Sequence, residues 1–98
     1  MGFLNKLFRI SDSAELKAKI QNGAQLLDVR TTEEFDAGSA PGSINISLDL
    51  LTEQMGKLNK NIPVVAVCAS GARSAHAVRL LKTNGFDAYN GGGWHLFL

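Results

Sequence analysis

Apolar positions recur along the chain in two rhythms, and the switches between them predict its elements. Between positions 11 and 21, Leu16 and Ile20 sit at helical spacing in a polar run, with Glu15 and Lys19 paired one turn apart. Ser11 or Ser13 is the expected cap of this helix, and Asn22-Gly23 its end. Gln25-Leu26-Leu27-Asp28-Val29 reads as a short buried strand. Thr31 and Glu34 have the spacing of a capping box and start a brief helix that stops at Gly38. Ala40-Pro41-Gly42 marks a turn, followed by a strand over Ser43-Ile44-Asn45-Ile46. Ser47 is expected to cap a helix whose stripe is Leu48, Leu51, Met55 and Leu58. Asp49 and Glu53 early in it, and Lys57 and Lys60 late, suit its dipole.

After a loop over Asn59 to Asn61, Val64-Val65-Ala66-Val67 is apolar without alternation. That pattern predicts a central parallel strand covered on both faces. A helix follows Arg73 and ends at Asn84-Gly85. Phe86-Asp87-Ala88-Tyr89 reads as the last strand, and Asn90-Gly91-Gly92-Gly93 as a loop before Trp94. Strands alternating with helices predict an α/β fold, with a central mostly parallel sheet and helices on both faces. Ligands of such sheets bind beyond the carboxyl ends of strands. Cys68 follows one such end, and Arg30 another.

Composition narrows the function classes. A chain of 98 residues with 45% apolar content and net charge +1 is expected to form one globular domain, and its charge favours neither nucleic acid nor an anionic membrane. One cysteine excludes an internal disulfide, and with two distant histidines it does not resemble a metal site. No cofactor is expected. Residues 1–9 read as an N-terminal extension to a domain over 10–98. Phe3, Leu4, Leu7 and Phe8 share one side of a short helix pattern there. The extension's apolar run is too short for a signal peptide and lacks the Ser or Thr of a myristoylation signal. No stretch is long enough to span a bilayer, and with no signal peptide evident a cytoplasmic protein is expected.

The candidate chemistry lies in Cys68-Ala69-Ser70-Gly71-Ala72-Arg73-Ser74. A thiol on a glycine-containing turn between a buried strand and a helix is well placed for nucleophilic or sulfur-carrying work. Backbone N–H groups of such a turn curl around an anion, and the helix N-terminus adds positive potential. The same field favours thiolate over thiol.

Three segments together resemble the single-domain rhodanese (sulfurtransferase) family: Leu27-Asp28-Val29-Arg30-Thr31-Thr32-Glu33-Glu34-Phe35, Ala40-Pro41-Gly42-Ser43-Ile44-Asn45-Ile46 and Val67-Cys68-Ala69-Ser70-Gly71-Ala72-Arg73-Ser74. The tail from Gly85 to Trp94 is similar to the family's final strand and glycine-rich loop. The resemblance implies a rhodanese fold with a persulfide on Cys68. A donor such as thiosulfate would give its outer sulfur to Cys68, which would pass it to cyanide or to a thiol, including a protein thiol. Two further roles are open on this fold: a sulfur-relay carrier to a partner protein, and a non-catalytic interaction module. Cysteine phosphatases resemble Cys-x5-Arg, which would put arginine at position 74. Here Ser74 stands there and the arginine is Arg73, so the cradle is shorter and suits sulfur better than phosphate.

Other residues are assigned around this site. Ala69, Ser70, Gly71, Ala72, Arg73 and Ser74 are expected to bind the donor. Arg73 either binds it directly or holds the loop through carbonyl and carboxylate contacts. Asp28 and Arg30 are expected as a supporting ion pair. Gly71 supplies a backbone position closed to side chains. Ser74 either caps the next helix or turns its hydroxyl to the thiolate. His76 and His95 are expected at the surface, and Trp94 as a core or rim aromatic. Many family members read Gly-His-Ile-Pro-Gly-Ala where this chain has Gly38-Ser39-Ala40-Pro41-Gly42-Ser43. That departure bears on packing or partner contacts near the turn.

Overall fold

A computed structural model describes residues 10–98, so the expectations for Phe3, Leu4, Leu7 and Phe8 lie outside the described residues. Among the described residues the strands are β1 (Gln25–Asp28), β2 (Ile44–Asn45), β3 (Val64–Cys68) and β4 (Ala88–Gly93). They run parallel in the spatial order β2-β1-β3-β4. The helices are α1 (Ser13–Gln21), α2 (Thr32–Ala37), α3 (Leu51–Gln54) and α4 (Ala72–Thr83). Short 3-10 turns flank α3 at Leu48–Leu50 and Met55–Lys57, and another closes the chain at Trp94–Phe97.

The unbroken apolar run of β3 follows from its central place between β1 and β4, with all five residues buried. Successive side chains point to opposite faces. Val64, Ala66 and Cys68 pack toward Leu51, Met55, Leu58, Ala77, Val78 and Leu81, under α3 and α4. Val65 and Val67 pack toward Leu16, Leu26 and Phe97, under α1 and the last 3-10 turn. The helices thus cover both faces, as the pattern predicts. No helix among the described residues is long and apolar enough to cross a membrane.

Several local expectations are corrected. Asp12, rather than Ser11 or Ser13, caps α1, its Oδ1 accepting the Ala14 N–H at 2.8 Å. A carboxylate there also meets the positive end of the helix. The predicted helix after Ser47 breaks into two 3-10 turns around a four-residue α3. Ser47 supplies no cap because its hydroxyl donates to Asp49 instead, and Gly56 weakens the helix near its end. Its apolar stripe still turns inward, with Leu51, Met55 and Leu58 buried.

The largest correction is at the last strand. Phe86 and Asp87 precede β4, whereas Asn90, Gly91, Gly92 and Gly93 belong to it. Glycine reads as a loop signal because it lacks a side chain, but here the lack is what lets the strand pair. A Cβ on Gly91 would lie 2.9 Å from Val67 Cγ1, 3.0 Å from Val65 Cγ1 and 3.1 Å from Phe97 Cε2. The register slips at this point, with Ala66 opposite Asn90 and Val67 opposite Gly92. Gly91 is the extra residue of a bulge.

Candidate active site

β3 ends on Cys68, which is 1% exposed. Its Sγ accepts the Gly71 N–H at 3.0 Å and the Ser74 N–H at 3.4 Å, and the Ser74 hydroxyl lies 3.4 Å away. The chain reverses at Gly71, where φ is +110°, a conformation that L side chains rarely adopt. A Cβ there would also fall 2.9 Å from Ile10 Cδ1. Gly71 is the cap residue of α4 but has no side chain to bond the first turn. The Cys68 sulfur takes that place by accepting the third N–H of the helix, from Ser74. Ser74 is therefore inside α4 rather than capping it, and its hydroxyl faces the sulfur.

Burial alone raises the thiol pKa. The Ser74 hydroxyl and the backbone N–H groups of Ser74, Gly71 and Ser70 together outweigh it and hold the thiol below its ordinary value. The four donors stand where negative charge collects on sulfur, so the site favours thiolate.

Arg30 and Asp28 make the buried ion pair expected at the end of β1. Arg30 Nη2 is 2.7 Å from Asp28 Oδ2, and the two side chains are 4% and 0% exposed. Arg30 Nε donates to both Asp28 oxygens at 3.0 Å. Its other donors reach the carbonyls of Glu34 at 3.2 Å and Gly38 at 2.8 Å, tying α2 and the turn after it to the sheet. Trp94 lies over the guanidinium at 4.5 Å from ring centroid to Cζ. Trp94 thus sits at the rim, with Arg30 against one face.

Arg73 makes the carboxylate contact of the holding role, which leaves donors unused. Its Nη1 and Nη2 donate to Glu34 Oε1 at 2.7 Å and Oε2 at 3.0 Å, a bidentate pair from α4 to α2. Glu34 Oε1 also accepts the Thr31 N–H at 3.0 Å, completing the capping box read from the sequence. The Arg73 contacts, helped by the Thr31 N–H, lower the Glu34 pKa to about 2. Two of the five Arg73 donors are used this way. Ala69, Ser70 and Ala72 are exposed around the loop. His76 is exposed, as expected, and with Arg73 borders a hollow of about 370 Å³ that Val29, Thr31, Leu48 and Asp49 also line. His95 is exposed beside Trp94. Among the described residues no three His, Cys, Asp or Glu side chains gather as a metal site.

Two participants have site roles that the sequence pattern does not carry. For Glu34 the pattern gives only local capping, and its pairing with Arg73 spans 39 positions. Asn90 falls in the expected loop. It is 3% exposed, its Oδ1 accepting from Ser74 Oγ at 2.7 Å and from the Gly92 N–H at 3.0 Å. Its Nδ2 donates to the Gly71 carbonyl at 3.1 Å. Extending the strand alternation from Phe86 and Ala88 by one step would have put Asn90 on the buried face beside α4.

Comparison with known proteins gives the family. Residues 12–97 match the family described as "Rhodanese-like domain". The thiosulfate sulfurtransferase GlpE of Shewanella oneidensis is 32% identical over 76 residues, covering 72% of this chain and 75% of the relative. YrkF of Bacillus subtilis, provisionally named a sulfur carrier protein, is 34% identical over 70 residues, 71% of this chain. The chain spans only 38% of that relative's length. The crystal structure of a rhodanese-like domain protein from Staphylococcus aureus superposes with a TM-score of 0.76 at 38% identity, covering 88% of this chain and 87% of that one.

Proposed function

The chain belongs to the rhodanese-like domain family, and from that premise we propose that it is a sulfurtransferase which carries sulfane sulfur as a persulfide on Cys68. The observation that carries this reading is the Cys68 sulfur held by the Gly71 N–H and by both the N–H and hydroxyl of Ser74. Relatives named as sulfurtransferases support sulfur transfer in general.

In the first half-reaction the Cys68 thiolate attacks the outer sulfur of a donor such as thiosulfate. A bond forms between Sγ and that sulfur, the donor's S–S bond breaks, and its electron pair leaves with sulfite. In the second, cyanide or a thiolate attacks the outer sulfur of the persulfide. The new bond forms on the acceptor, and the electron pair of the old S–S bond returns to Sγ. Neither half needs a cofactor or a general base, because the charge that moves is already present on sulfur. The donors around Sγ stabilise it when it is the leaving group, without reorganising. Ala69, Ser70, Gly71 and Ala72 form the mouth through which the anion approaches. Arg73, with the donors that Glu34 does not use, meets the donor's oxygens. Asp28 and Arg30 support the loop from the side of β1.

Cys68 is the one cysteine in these 98 residues, so the sulfur passes to an acceptor outside them. The relative named as a sulfur carrier favours a protein thiol as that acceptor, as a second reading. A carrier working through one reduced thiol suits a reducing compartment such as the cytoplasm.

Initial rates with thiosulfate and cyanide varied together test the proposal. A persulfide carrier gives the parallel reciprocal plots of a ping-pong reaction. Intersecting plots would mean that donor and acceptor meet in one complex and would sink the covalent route. Slow transfer to cyanide beside rapid transfer to a protein thiol would select the second reading.

A further inference from the structure

Ser74 Oγ lies between two groups that compete for one hydrogen. Cys68 Sγ is 3.4 Å away and Asn90 Oδ1 is 2.7 Å away. A hydroxyl carries a single hydrogen, and a carboxamide oxygen can only accept. Ser74 is 0% exposed and Asn90 3%, so bulk water does not settle the competition. The two states of the sulfur settle it differently. A neutral thiol donates its hydrogen to Ser74 Oγ, and the hydroxyl then points to Asn90. A thiolate can only accept, and it draws the hydroxyl hydrogen to itself.

Building on the persulfide reading above, we propose that Asn90 is a positioning residue that holds the Ser74 hydroxyl hydrogen while Sγ is neutral and yields it to Sγ whenever negative charge returns there. Sγ is neutral as the thiol and as the inner sulfur of the persulfide. Charge returns when the acceptor takes the outer sulfur and the electron pair of the S–S bond falls back on Sγ. The hydrogen then moves by rotation about the Cβ–Oγ bond of Ser74 and stays on its oxygen throughout. The bond to sulfur is made as the S–S bond breaks, so it favours the transition state over the resting persulfide. Asn90 keeps its oxygen satisfied meanwhile through the Gly92 N–H at 3.0 Å. Its amide nitrogen, on the Gly71 carbonyl at 3.1 Å, keeps the carboxamide oriented.

The sign of one substitution separates this role from simple bracing of the loop. In Asn90→Ala the competing acceptor is gone, and the neutral thiol state loses the partner of its hydroxyl. The acidity constant of Cys68 should rise about two- to tenfold, the equilibrium worth of one neutral hydrogen bond. The readout is the midpoint of the pH profile for alkylation by iodoacetamide, which should move to lower pH. Bracing alone predicts the opposite, because a loosened Gly71 takes its N–H off the sulfur. In a Ser74→Ala background, Asn90→Ala should leave the midpoint where Ser74→Ala puts it. A midpoint that rises in Asn90→Ala, or a shift of equal size without Ser74, overturns the proposal.

Asn90→Leu, of similar volume and without an acceptor, is read the same way if the alanine variant does not fold. In the unmodified protein the Gly92 amide resonance should follow the Cys68 titration, because its acceptor is shared with Ser74. A flat Gly92 response overturns the proposal as well. Alkylation needs no sulfur donor, so a failure of sulfur transfer and a failure of this inference are separately visible.

Discussion

Replacing Arg30 by alanine should destabilise the domain far more than any surface change, and the structure sets the scale. Asp28 is 0% exposed and faces the Arg30 guanidinium through Nε at 3.0 Å and Nη2 at 2.7 Å. Without Arg30 its carboxylate keeps the position-30 backbone N–H at 3.0 Å but loses its ion-pair partner. Stranding one member of a buried pair costs about 3–5 kcal/mol. Loss of the Trp94 stacking and of the bonds to the Glu34 and Gly38 carbonyls acts in the same direction. Against a typical domain stability of about 5–15 kcal/mol this is a large fraction. Equilibrium urea unfolding is the assay, and with a slope of about 2 kcal/mol/M the midpoint should fall by roughly 1.5–2.5 M. Removing both charges with volume-matched apolar residues, Asp28→Leu with Arg30→Met, should cost less than Arg30→Ala alone, because no unpaired charge remains. A loss below about 1 kcal/mol for Arg30→Ala, or a double variant worse than the single, would refute the stranded-charge reasoning.

Other substitutions test the remaining links. Ser74→Ala removes a donor from Sγ, so the midpoint of Cys68 alkylation should rise; an unchanged midpoint would show that the hydroxyl does not stabilise the thiolate. Gly91→Ala drives a Cβ to 2.9 Å from Val67 Cγ1 and 3.1 Å from Phe97 Cε2. Overpacking of this kind costs about 1–3 kcal/mol in urea unfolding, and a loss within error would mean that β4 shifts freely. The Glu34 carboxyl, lowered to about 2 by Arg73 first and Thr31 second, contributes stability above its ordinary value of 4.5 that is lost as pH falls through about 2. Glu34→Gln should therefore flatten the acid limb of the stability curve between those values. Parallel acid limbs for the two proteins would contradict the pairing with Arg73.

Legibility in the sequence followed the range of the interactions. The apolar run of β3, the Thr31–Glu34 box and the Asp28–Arg30 pair are set by neighbours in sequence, and each is read from a short segment. So is the Cys68 loop, because a strand end, a glycine and a helix start lie within six positions. The Arg73–Glu34 pair needs α2 and α4 to be docked across the end of the sheet, and no local pattern carries that. Asn90 was hidden by its three following glycines, whose loop signal holds for exposed chain and reverses where side chains crowd the strand. The helix after Ser47 kept its buried stripe but not its regularity. Burial of Leu51, Met55 and Leu58 constrains where those side chains point, not the hydrogen-bond pattern of the backbone between them.

The central claim is that sulfur rides on Cys68. Mass spectrometry of the intact protein and of its Cys68 peptide, before and after thiosulfate, tests it most directly. The account predicts a gain of one sulfur atom on that peptide, lost again on addition of cyanide and absent in Cys68→Ser. No gain with thiosulfate or any other sulfane donor, or a gain that survives Cys68→Ser, would contradict it.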